Sequence, residues 1–267
     1  MDIMSNSKLR EIFINDIELF GLMAGLRPVA KKEGPDAQRL MTMANELAAA
    51  GFTVVKNDMT GCAYVSQDAD AVARLVELEN REFTGGNPEL RAQTIYEIGL
   101  MLGYPDCCAR AFSRHKMQDD ACVMGTFIAA EMAHAASTGT GNVLTLPWQL
   151  NFLIPMTGPV FYYPCAADCP ASLALANKYF AALESVRPGA TEQIKQALAH
   201  PVLVAGRWDF VVIDGSVGDD GTINFTSWRT AADYHPVPAP SPQFTKFISD
   251  LPRNGVIMTA NLILNFK

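Results

Sequence analysis

Four of the chain's six cysteines fall in two short segments built around proline. The first reads Gly103-Tyr104-Pro105-Asp106-Cys107-Cys108 and the second Tyr163-Pro164-Cys165-Ala166-Ala167-Asp168-Cys169-Pro170. Gly103 can close one helix and Pro105 suits the first position of the next, so Cys107 and Cys108 fall in a first helical turn. Their side chains diverge by about 100°, which disfavours a mutual disulfide but lets both face one bound object. The second segment has two readings. A helix starting at Pro164 or Cys165 puts Cys165 and Cys169 on one face. A helix starting at 169–170, where a proline is tolerated, leaves Cys165 in the preceding loop.

A helix start carries unpaired N–H groups and the positive end of the dipole, which favour a thiolate over a thiol. Four thiolates from two such starts suit an iron-sulfur cluster or a zinc ion. Hard cations are disfavoured by a sulfur set. The plainer reading of any one of these cysteines is a small buried hydrophobe. That reading is preferred for Cys62, on a short strand, and for Cys122, inside an apolar helix. Cys62 stays a candidate fifth ligand.

Glu131-x-x-His134 is half of the pair of motifs used by carboxylate-bridged di-iron bundles, and the other half is missing. It reads as an ordinary polar pair, with Glu131 and His134 kept as candidate non-thiol ligands or acid/base groups. Arg110 and Arg114 share a face of the Cys107/Cys108 helix. Arg110 is a candidate contact for an anion or substrate, although a solvated helix face is the commoner use. Thr138–Gly141 lacks the Gly-Lys-Ser/Thr of a phosphate loop. Residues 215–221 suit a hairpin turn rather than a calcium loop.

The paired motifs, Gly-Tyr-Pro-x-Cys-Cys and Pro-Cys-x-x-x-Cys, resemble an uncharacterised prokaryotic family with a β-rich C-terminus, over most of the chain from residue 90 onward. The resemblance implies that Cys107, Cys108, Cys165 and Cys169 form one site, and it brings no reaction. The order Cys62, Cys107-Cys108, Cys165, Cys169 also resembles the cysteine-rich, four-iron-cluster domain of heterodisulfide reductases. Ala109 stands where that pattern has glycine, and the last pair is CxxxC rather than CxxC. The likeness serves as precedent for vicinal cysteines holding a cluster.

The elements that must position these residues follow from pattern. The chain has 267 residues, 49% hydrophobic and 18% charged, enough for a substantial core. Helices are expected at 9–25, 36–51, 69–83, 89–102, 105–115, 119–137, 166–186 and 189–199. Short strands are expected at 52–56 and 62–66, then at 201–206, 208–214, 222–229 and 255–266. Residues 138–164 and 234–243 read as irregular, the latter with four prolines. The expected class is α+β, with a helix-rich N-terminal two-thirds and an antiparallel β-rich C-terminal part. A single domain over 1–267 is expected, or an N-terminal α/β subdomain 1–86 with a cysteine-containing core 87–267.

The formal net charge is −7 and no Lys/Arg run exceeds Lys31-Lys32, which argues against nucleic acid. Charges within the first twenty residues break any signal peptide, and no apolar run is long enough to span a bilayer. A reducing cytoplasm is expected, where cysteines serve as thiols or ligands. The function expected is a cysteine-ligated metalloprotein holding an iron-sulfur cluster of the four-iron type. Its role would be redox or sulfur handling, acting on a small-molecule substrate or a redox partner protein. A metal-free thiol enzyme and a zinc-stabilised structural or partner-binding module remain alternatives.

Overall fold

The structure is a computed structural model that describes residues 11, 13–14, 16–118, 143–151, 159–160, 162–204, 209–218, 220–230, 233, 242–252, 254–257 and 262–267. Its class is α+β, with helices mainly in the N-terminal part and a mostly antiparallel sheet toward the C-terminus. The chain divides into two compact units, one of residues 1–117 and 170–188, the other of residues 118–169 and 189–267.

The first unit is built on a three-stranded antiparallel sheet in the order β1 (Ala30–Lys32), β3 (Ala63–Ser66), β2 (Thr53–Lys56). Central β3 is buried at every position. Side chains alternate across a strand, so it feeds two cores at once. Ala63 and Val65 pack with Leu19 and Leu22 of helix α1 (Ile17–Met23) and with Leu40 and Leu47. Those two leucines lie on α2 (Gly34–Thr42) and α3 (Ala44–Ala49). Cys62 and Tyr64 face the other way, onto Val72 and Leu75 of α4 (Ala69–Thr84). A buried polar group needs a partner, and the Tyr64 hydroxyl donates to Glu79 at 2.5 Å while Lys31 Nζ lies 3.1 Å from the same carboxylate.

Asp68 caps α4, accepting from the N–H groups of Asp70 and Ala71. Three more helices follow in this unit: α5 (Pro88–Met101), α6 (Asp106–Gln118) and α7 (Pro170–Val186). Helices α5 and α6 approach closely because Gly99 has no side chain; a Cβ there would stand 2.9 Å from that of Ala109. Gly21 of α1 does the same for α7, since its Cβ would fall 2.0 Å from Tyr179 Oη.

The second unit carries a six-stranded sheet in the order β4-β9-β5-β6-β7-β8. The strands are β4 (Val143–Leu146), β5 (Pro201–Val204), β6 (Phe210–Val217), β7 (Ile223–Thr230), β8 (Gly255–Ile257) and β9 (Leu262–Phe266). All pairings are antiparallel except β4 with β9. Leu203, Val211, Ile213, Ile223, Phe225 and Ile263 form one core face, closed by Phe244 of α9 (Pro242–Asp250). Helix α8 (Ala190–Leu198) precedes β5, and its last carbonyl accepts from buried Asn151 at 2.7 Å.

The structure departs from several sequence expectations. The span 36–51 breaks at Met43 into α2 and α3. A strand, β4, and a short 3-10 turn at Trp148–Leu150 lie within the stretch expected to be irregular. Residues 255–266 are not one strand: β8 pairs with β7, while β9 lies between β4 and β5. Helix α9 was not anticipated after the prolines, and Pro242 begins it. The expected helix 119–137 lies outside the described residues.

Candidate metal centre

The first cysteine pair is positioned by how α5 ends. Gly103 adopts φ of +81°, and the N–H of Tyr104 reaches back to Gly99 O at 2.9 Å. Only glycine takes this left-handed geometry without cost. A Cβ at Gly103 would also lie 2.7 Å from Arg27 Cβ. Pro105 follows, and its carbonyl accepts from the N–H groups of Cys108 and Ala109, both at 2.9 Å. Helix α6 therefore begins at Asp106, with both cysteines in its first turn. Cys108 and Ala109 are fully buried, and Cys107 is exposed.

The second pair precedes α7, which begins at Pro170 and not at 166. A proline at the first helical position loses no intrahelical hydrogen bond. Cys165 thus lies in the lead-in, and Cys169 is the residue before the helix. The N–H of Cys169 donates to Ala166 O at 3.1 Å, folding the lead-in into a turn. It is this turn, rather than a shared helix face, that returns Cys169 toward Cys165. Cys169 and Ala167 are buried, Cys165 is half-buried and Asp168 is exposed.

The sulfur atoms of Cys107, Cys108, Cys165 and Cys169 all lie within 4.8 Å of one another. Those of Cys107 and Cys108 are 3.8 Å apart. None of the described cysteines is in a disulfide. A four-sulfur group this tight can hold a metal ion, and its softness selects zinc, iron or copper(I). The positive ends of α6 and α7 favour the negative charge that four thiolates bring.

One further residue belongs to this environment. Ser172, in the first turn of α7 and completely buried, places Oγ 3.1 Å from Cys108 Sγ. With Cys108 as a thiolate, the serine hydroxyl is the donor. Sequence reading passed over it, although a hydroxyl three residues beyond Cys169 in an otherwise apolar turn was the available signal.

The other candidates fall elsewhere. Cys62 is buried beside Val29, Tyr64, Val72 and Leu102 and is not among the four clustered sulfurs. Arg110 is exposed: its Nε donates to Asp106 at 2.9 Å and its Nη2 to Tyr96 Oη at 3.0 Å, with the guanidinium stacked over the Tyr96 ring. These contacts hold Asp106 well below the usual carboxylate range. Burial, with Arg114 nearby, pushes His115 below the usual imidazole range. Cys122, Glu131 and His134 lie outside the described residues.

Among the described residues no helix is long and apolar enough to cross a membrane. No protein-family model matches the chain, and no curated protein or solved structure matches it significantly.

Proposed function

We propose that the four thiolates bind a single zinc ion as a structural centre. The observation that carries this reading is the mutual distance of the sulfurs, 4.8 Å at most. Zinc–sulfur bonds of about 2.3 Å in a tetrahedron put sulfurs about 3.8 Å apart. Cys107 and Cys108 stand at that separation, and modest contraction brings the rest to it. In a four-iron cluster each cysteine binds its own iron, which spreads the sulfurs to roughly 6 Å. The spacing therefore favours one ion over the cluster expected from four thiols at two helix starts. Four protein ligands leave no coordination position for a substrate, the arrangement of structural rather than catalytic zinc. The motif resemblance is consistent with the four cysteines acting as one site.

The test is metal and acid-labile sulfide content of protein purified without oxygen. About one zinc per chain without sulfide is the expected result. Iron and sulfide at about four each would replace this reading with the four-iron cluster. A second reading, a metal-free thiol enzyme, draws support from the exposure of Cys107. It requires metal-free protein in which one thiol alkylates much faster than the others.

A further inference from the structure

The four sulfurs are unequal. Taken as whole residues, Cys108 and Cys169 are buried, Cys165 is half-buried and Cys107 is exposed, and within the cluster Cys107 and Cys165 both keep partial access to solvent. Cys108 also receives the Ser172 hydroxyl, and a hydrogen bond to a thiolate draws charge from its lone pairs. Exposure makes Cys107 the sulfur an incoming oxidant meets first, and the Ser172 hydroxyl lowers the electron density on its buried neighbour Cys108. Zinc has no redox chemistry of its own, so any electrons leave from sulfur.

From this asymmetry, and resting on the zinc reading above, we infer that Cys107 is an oxidation site through which hydrogen peroxide releases the metal. The Cys107 thiolate attacks one peroxide oxygen. The S–O bond forms, the O–O bond breaks, and hydroxide leaves and takes up a proton as water. A second thiolate of the group, within 4.8 Å, attacks the resulting sulfenic sulfur. The S–S bond forms, the S–O bond breaks, and a second hydroxide leaves as water. Two thiolates and one peroxide, with two protons, thus yield one disulfide and two waters. The two remaining thiolates bind zinc too weakly to keep it. Cys165 is the favoured second thiolate, because it is the other accessible sulfur and is free of the helical divergence that separates Cys107 from Cys108.

The experiment begins with the zinc content of the purified protein; protein without zinc overturns both this inference and the reading it rests on. Zinc-loaded protein is then titrated with hydrogen peroxide below one equivalent. Released zinc is read with a colorimetric chelator, and a sulfenic-acid trap followed by peptide mass spectrometry locates the oxidised sulfur. One zinc released per peroxide is expected, with trapping at Cys107 about tenfold above Cys108 and Cys169. Equal trapping at all four sulfurs, or oxidised protein that retains its zinc, overturns the inference and leaves the zinc reading standing. The mapping uses the unaltered chain, so it does not depend on any variant folding.

Discussion

At Cys108 a thiol takes a place that a small apolar side chain more often fills. It is fully buried, and the Ser172 hydroxyl stands against its sulfur at 3.1 Å. Ser172→Ala removes that donor without opening more than a hydroxyl-sized gap. We expect a loss of about 1–3 kcal/mol in the metal-loaded protein, because a buried hydrogen bond to a charged acceptor is lost. Chelator competition before and after the substitution measures it, and an unchanged zinc affinity and melting temperature would deny Ser172 any part in the centre. Cys107→Ala and Cys169→Ala should each abolish stoichiometric zinc, whereas Cys62→Ala should leave zinc content at wild-type level, since Cys62 packs in a separate core. Loss of zinc from the Cys62 variant would extend the ligand set beyond the four clustered sulfurs.

Helix α6 carries the first cysteine pair and is set by its contact with α5. Gly99→Val would drive a branched side chain into Ala109, already 2.9 Å from a bare Cβ. Overpacking of this kind costs about 1–3 kcal/mol, and here it should also weaken zinc binding by displacing the turn that follows. Gly99→Val protein with wild-type stability and zinc content would show that α5 and α6 are free to separate. The far end of α6 gives a pH signature. His115 has its imidazole held below its ordinary value by burial, and its Nδ1 is buried with no hydrogen-bond partner among the described residues. Protonation is therefore easier in the unfolded chain. The stability due to neutral His115 is present above pH of about 6.5 and is lost as pH falls toward the folded value. His115→Gln should flatten that slope in denaturant titrations between pH 7 and 5.

The helix starts at Asp106 and the cysteine pairs were legible because glycine and proline act locally: Gly103 closes α5, and Pro105 and Pro170 each open a helix. The same locality explains the misreadings. Residues 36–51 are apolar at helical spacing throughout, and nothing short-range marks Met43 as the break between α2 and α3. Strands β8 and β9 read as one because residues 255–266 contain no proline and no charge to mark a break; their separate partners, β7 on one side and β4 and β5 on the other, are set by pairings distant in sequence. Ser172 stands out locally as a hydroxyl in an apolar turn, but its role depends on Cys108, 64 positions away.

Among the described residues, the two cores flanking β3 and the sheet face closed by Phe244 contain none of the four clustered cysteines. Stability of the folded chain is thus expected to depend on zinc only in part. Chelation should lower the melting temperature, through the loss of binding energy from the folded state alone, while the far-UV circular dichroism keeps most of its amplitude at 25 °C. Complete loss of that signal on chelation would mean that the metal organises both cores.

The first unit takes its residues from two stretches of chain, 1–117 and 170–188, and the second from the other two. Helix α7 belongs to the first unit, and its Tyr179 occupies the space that Gly21 leaves open. A ribosome that has delivered residue 117 has therefore delivered a unit with that space still unfilled. More than fifty further residues must emerge before the missing helix is available. Through that interval the uncovered apolar surface of α1 is open to chaperones and to aggregation. No single cut in the chain, by protease or by truncation, yields either unit whole.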